Sequence, residues 1–137
     1  MAANSGKLSE SQFIKTMESK GSVVFRMRDA ADLYGLNKKK VAIFPLPSDF
    51  IVVEKGGRTI FAEVKSTQNK TSFPLGMLEK AQKAALSKVT KQGGYYHIYI
   101  HNLNTNTWYL MTGSQYLLYV SSNIKSVKWE LLNEYLD

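Results

Sequence analysis

The spacing of apolar and polar positions changes several times along this chain, and the changes mark its elements. Phe13, Ile14 and Met17 recur at helical spacing. Ser9 suits the N-cap of that helix, Gln12 completes a capping box, and Gly21 stops it. Residues 1–8 are expected to be loosely ordered. Residues 22–27 read as a strand, with Val23, Phe25 and Met27 on one side and Val24, Arg26 and Arg28 on the other. Residues 30–36 predict a short helix, Lys38, Lys39 and Lys40 a basic loop, and residues 41–44 an extended edge ahead of Pro45 and Pro47. The β-branched and aromatic runs at 50–53 and 59–64, with Gly56 and Gly57 between them, predict a hairpin covered on both faces.

Beyond it, S-T-Q-N-K-T-S is polar, and Pro74 suits the start of a helix over about 75–90, with Ser72 as a cap. Leu78, Ala81, Ala85 and Val89 form the apolar stripe of that helix, and Gln82 falls inside it. A polar side chain there either satisfies a core backbone group or faces a site. Residues 95–100 and 107–111 read as two further strands. Residues 115–137 read as short helices with Trp129, Leu131, Leu132 and Tyr135 packing inward. Together these elements make an α/β (α+β) chain, with a central mixed sheet flanked by helices, in one domain spanning residues 1–137.

Charged residues interrupt the apolar hairpin at Asp49, Glu63 and Lys65. Glu63 and Lys65 are two apart, so they share a strand face. A two-residue loop at Gly56-Gly57 would put Asp49 and Glu63 on opposite faces. A three-residue loop, Lys55-Gly56-Gly57, opposes Glu54 to Arg58 and Asp49 to Glu63, and gives Gly57 the left-handed position such loops use. Asp49, Glu63 and Lys65 then converge. Two adjacent carboxylates repel unless a hard cation such as Mg²⁺ lies between them. A lysine beside them can orient or deprotonate water, or stabilise charge on a phosphate. The same short pattern also suits a surface hairpin carrying a Glu–Lys pair.

Composition narrows the classes. The 137 residues are 44% hydrophobic and 21% charged, which suits a globular domain with a core. No apolar run reaches the length of a membrane span, and the first residues lack the apolar stretch of a secretory signal. The absence of cysteine excludes disulfides and thiol catalysis and fits a reducing cytoplasm. A net charge of +7 points to a polyanionic partner, most often nucleic acid. Arg26, Arg28, Lys38, Lys39, Lys40 and Lys70 are candidate phosphate contacts, and the Thr71 and Ser72 hydroxyls join them. His97 and His101 have no partner at metal-ligand spacing and read as structural or surface residues.

S-D-F followed by A-E-V-K-S-T resembles the PD-(D/E)xK nuclease core, with Ser48 where the family's motif has proline. The continuation K-S-T-Q-N-K-T-S-F-P-L, with Gln82 beyond it, resembles the RecU-type Holliday junction resolvases of bacteria and their phages. The N-terminal helix with Glu10 resembles that of the archaeal resolvases; Glu18 is the nearby alternative. The resemblance implies a restriction-endonuclease-like fold, a homodimer, and hydrolysis of four-way junction DNA with Mg²⁺, for which Mn²⁺ substitutes. It assigns Asp49, Glu63 and the Val64 carbonyl to the metal, Lys65 to the attacking water, Glu10 to a second metal or its water, and Gln82 to positioning. Other readings are a different PD-(D/E)xK nuclease acting on ordinary duplex, and a junction-binding module without catalysis.

Overall fold

The structure, a computed structural model, describes residues 2–27 and 46–135. Helix α1 (Ala2–Ser19) leads into β1 (Val23–Arg26), β2 (Phe50–Val53), β3 (Thr59–Thr67) and β4 (Ser72–Pro74). A 3₁₀ turn (Leu75–Met77) precedes helix α2 (Lys80–Lys91). Strands β5 (Tyr95–Asn102) and β6 (Thr107–Thr112), helix α3 (Gly113–Ser121), β7 (Ser126–Lys128), a second 3₁₀ turn (Trp129–Leu131) and β8 (Asn133–Glu134) complete the order. The six-stranded sheet runs β1-β2-β3-β5-β6-β8, and β4 pairs with β7 separately. Within the six-stranded sheet only β3 and β5 are parallel, because the chain between them crosses over through β4 and α2.

A core lies on each face of the sheet. On one, Phe13 and Met17 of α1 cover Phe50, Val52, Ile60 and Tyr99. On the other, Leu86 of α2 and Tyr116 of α3 join Phe73 and Leu78 over Tyr96, Ile98, Ile100 and Met111. The alternation along β5 is visible in this division: Tyr96, Ile98 and Ile100 face α2, while Tyr99 between them faces α1.

Several expectations change. The first helix begins at Ala2, so Ser9 is not its N-cap. Ser9 instead continues the buried stripe of Phe13 and Met17, and its hydroxyl lies 2.7 Å from His101 Nδ1, a partner on β5 that satisfies it within the helix. His101 Nε2 meets Asn106 Oδ1 at 2.7 Å, and the ring stacks on Trp108 at 4.4 Å. Ser72 caps no helix; it lies on β4, and α2 starts only at Lys80. The tail is not all helical. Val127 and Trp129 are buried between exposed neighbours, the period-two signature of a strand, and Leu131 is exposed. The predicted elements over residues 30–36 and 41–44, and Arg28 and Lys38, Lys39 and Lys40, lie outside the described residues.

His97 is buried beneath Tyr95 and Tyr99, and its Nδ1 is 3.2 Å from the Tyr99 hydroxyl. Burial, and then the charge of Arg58, lower its pKa to about 4. The unfolded chain therefore takes up a proton below pH ~6.5 that the fold refuses until about pH 4, a loss of roughly 3 kcal/mol across that window. Urea midpoints measured at pH 7 and pH 4.5 should differ less in His97→Gln than in the wild type; equal differences would remove His97 as the acid-sensitive group.

Candidate active site

The hairpin forms with the three-residue loop. Gly56 and Gly57 have φ of +94° and +98°, conformations glycine adopts without strain. Glu54 N–H donates to Arg58 O at 2.8 Å, and the ladder runs from Val53↔Thr59 to Phe50↔Ala62. Continuing that register sets Asp49 against Glu63. The two residues then exchange side-chain bonds across the strands. Asp49 N–H donates to Glu63 Oε1 at 3.0 Å, and Val64 N–H donates to Asp49 Oδ2 at 3.1 Å.

Three further bonds hold the turn that carries Asp49. Met27 N–H donates to Asp49 O at 2.8 Å, the Ser48 hydroxyl to Phe50 O at 2.8 Å, and the Tyr96 hydroxyl to Pro47 O at 2.6 Å. Tyr96 is a core residue, and its hydroxyl also braces this turn. Its strand parity with Ile98 and Ile100 signals the face, but nothing local signals a partner 49 residues away.

Glu63 is completely buried. Its Oε2 receives Gln82 Nε2 at 2.5 Å and lies 3.3 Å from Lys65 Nζ. Gln82 is the third residue of α2, where its Oε1 also accepts the Glu79 N–H at 2.8 Å. One amide thus caps the helix and grips the carboxylate, so Gln82 faces the site. Burial raises the Asp49 pKa against the lowering pull of the Val64 N–H. Burial, followed by the Asp49 charge, pushes Glu63 up to about 8, although Lys65 pulls it down.

Glu10 and Arg26 form an ion pair at 2.7 Å, and the Arg26 guanidinium lies 5.0 Å over the Phe50 ring. The charge of Glu10 reaches Asp49 and adds to the rise in its pKa. The helix direction explains this placement. Gly21 sits against Lys55 at the hairpin tip, so α1 ends there and runs back to bring Glu10 level with Arg26. Glu18 lies eight residues on, about 12 Å along the axis toward the tip. The structure therefore brings Glu10, not Glu18, to Asp49, and Arg26 meets a carboxylate as well as solvent.

Lys70 and Thr71 lie in a loop after β3. Asn69 Oδ1 organises it by accepting from the N–H groups of Thr71 and Ser72, each at 3.1 Å. Ser72 pairs in register with Lys128, and its hydroxyl is 2.6 Å from that of Ser126.

Among the described residues no group of three His, Cys, Asp or Glu side chains gathers as a metal site. The donors present are two carboxylates and backbone. That set fits a hard cation that keeps several of its waters, and does not fit zinc.

The family model described as RecU, Recombination protein U, matches residues 40–136. The chain belongs to the Recombination protein U family. Asp49, Glu63, Lys65 and Gln82 all fall within the part of the chain that carries the family match, whereas Glu10 and Arg26 precede it. Among solved structures, the chain is similar to Hjc from Archaeoglobus fulgidus, titled a Holliday junction resolvase from an archaeal hyperthermophile. That match has a TM-score of 0.59 and 14% identity, covering 94% of this chain and 95% of the other. It shows the fold: a mixed sheet flanked by helices, with α1 included. No curated protein sequence matches the chain.

The Glu63 carboxyl, ordinarily ionised above about pH 4.5, keeps its proton in the fold up to about pH 8, so the metal-free fold loses stability as pH rises through that window. Metal-free wild type should melt at a lower temperature at pH 8.5 than at pH 6. Glu63→Gln should flatten that slope, and Mg²⁺ should raise the melting temperature of the wild type but not of the variant. A pH slope retained in Glu63→Gln, read by thermal denaturation in EDTA, would contradict this.

Proposed function

We propose that this chain is a structure-selective endonuclease that resolves four-way DNA (Holliday) junctions by paired phosphodiester hydrolysis. The observation that carries this is the convergence of Asp49, Glu63 and Lys65 on one sheet face, with Gln82 aimed at Glu63, in a member of the Recombination protein U family. Junction resolution itself comes from the family and from the resemblance to Hjc, a Holliday junction resolvase. The reading takes the whole chain as one nuclease domain, working in the cytoplasm of a bacterial or phage-infected cell. In keeping with this, no described helix is long and apolar enough to cross a membrane.

Asp49 and Glu63 would hold Mg²⁺, or Mn²⁺ in its place, together with the carbonyl of Val64. In an extended strand a residue's N–H and C=O point to the same edge, and the Val64 N–H already points at Asp49. Such a cation, when bound, polarises the scissile phosphodiester and acidifies water. Lys65, its ammonium beside Glu63, orients the attacking water and offsets charge that develops on the phosphate. Gln82 holds Glu63 in one rotamer by donating to the oxygen nearest Lys65. Glu10, fixed by Arg26, orients water or a second cation from the helix side. Arg26, about half exposed, also presents its remaining donors to phosphate, as do Lys70, Thr71 and Ser72. Arg28, Lys38, Lys39 and Lys40 join these as proposed DNA contacts.

The decisive assay is cleavage of a synthetic four-way junction in Mg²⁺ and again in EDTA, alongside flap and linear substrates. Asp49→Asn and Glu63→Gln should each lower cleavage by at least ~10³-fold, a few kcal/mol of transition-state stabilisation, while junction binding persists. Near-normal metal-dependent cleavage in either variant would remove the assignment. Equal cleavage of linear duplex by the wild type would favour a general nuclease over a resolvase.

The functional unit in this reading is a homodimer, because two sites related by a two-fold axis match the near two-fold symmetry of a junction. Val23 and Phe25 on the edge strand and Leu118 on α3 are exposed apolar side chains available for such burial. Sedimentation at micromolar concentration should give twice the mass of 15.5 kDa; a monomer that still nicks opposed strands in concert would contradict it.

A further inference from the structure

The sheet face that carries Glu63 and Lys65 continues into a groove of about 420 Å³. Asn102, at the end of β5, lines it while only 3% exposed. Its Oδ1 accepts the Asn104 N–H at 3.1 Å, the only side-chain hydrogen bond that Asn102 makes among the described residues. A buried amide thus offers donors into the groove. Lys70 and Lys128 stand on the walls, and among the described residues neither makes an ion pair. Tyr109 and Trp129 form an aromatic wall, stacked with centroids 5.1 Å apart.

These groups are held in place before any ligand arrives. Ser72 pairs with Lys128, Trp129 N–H donates to Thr71 O at 3.3 Å, and the Trp129 indole donates to Asn69 O at 3.0 Å. Lys128 therefore rides on the β4–β7 unit, and Lys70 on the loop tied to it. Leu103 N–H donates to Thr67 O at 3.0 Å, and Asn104 Nδ2 to Gln68 O at 2.6 Å, which fixes the turn beneath Asn102.

Position gives the groove its meaning. Asn102 is in register with Thr67, two residues beyond Lys65 on the same face. A rise of ~3.3 Å per residue and ~4.8 Å between strands puts Asn102 about 8 Å from Lys65 along the backbone. At ~3.4 Å of axial rise per nucleotide, that is roughly two nucleotides from a phosphate held at Lys65. We propose that this groove is a subsite for a backbone phosphodiester of the cleaved strand, about two nucleotides from the scissile bond. Asn102 and the two lysines bind the phosphate, and the aromatic wall packs against the adjoining sugar and base. Glu130 shares the groove, so it suits a singly charged diester better than a terminal phosphate. The proposal rests on the reading of the chain as a DNA junction nuclease.

The test measures junction affinity in EDTA across a salt series, for wild type, K128Q and Asn102→Asp. The aspartate keeps the acceptor for the Asn104 N–H, so the turn survives while the floor becomes negative. K128Q should bind several-fold more weakly and lower the slope of log affinity against log salt by about 0.9, one phosphate contact. Asn102→Asp should weaken binding further. Junctions carrying one uncharged methylphosphonate, moved stepwise from the scissile bond, locate the contact. Wild type should lose affinity at one position near the second nucleotide, and K128Q should lose no more there. Wild-type affinity and salt slope in K128Q would overturn the subsite while leaving the junction reading intact. A penalty in K128Q fully additive with the methylphosphonate at every position would also overturn it. A wild-type protein that does not prefer four-way junctions to duplex would overturn the functional reading, and the subsite with it.

Discussion

The structure turns on the exchange between Asp49 and Glu63. Two carboxylates placed side by side with little water between them would ordinarily force the strands apart. Here Glu63 accepts the Asp49 N–H and Asp49 accepts the Val64 N–H, so the hairpin cannot shift register without leaving two donors and two carboxyl groups unpaired. Burial raises the pKa of both groups, and at Glu63 the Asp49 charge adds to the rise. The fold therefore keeps a local electrostatic conflict, which the proposed divalent cation would resolve. Tyr96 beneath and Gln82 beside the pair keep the conflict from relaxing by rotamer change.

Much of this was legible because hairpin register is a local property. Loop length and the period of two together decide which residues oppose one another, and two adjacent glycines left few loop geometries. The position of Gln82 inside an apolar stripe was legible for a similar reason, since helical periodicity says which way it points. Membership of the Recombination protein U family strengthens both readings without depending on either.

What the sequence did not reveal depends on contacts between distant parts of the chain. Ser9 has the local chemistry of a cap, but His101 is 92 residues away and claims its hydroxyl. The Ala-Ala-Asn-Ser-Gly stretch before it then continues as helix. At the other end, Trp129 reads as part of a helical face because leucines and aromatics crowd the tail. The β4–β7 pairing that makes residues 126–128 a strand and leads into Trp129 is decided by Ser72 and Phe73, far upstream. In each case a short-range pattern lost to a long-range partner.

Gln82 has one amide engaged at both ends, the oxygen by the start of α2 and the nitrogen by Glu63. That makes the helix a ruler laid against the sheet. Its first turn cannot slide, lengthen or rotate without letting go of the carboxylate, so the connection from Phe73 to Gln82 has a fixed length. A single residue added between Lys80 and Gln82 would turn the amide by about 100° away from Glu63. The chain's tolerance for length change is thus set by where one side chain spans two elements, and the same limit applies to any graft or circular permutation that passes through this connection.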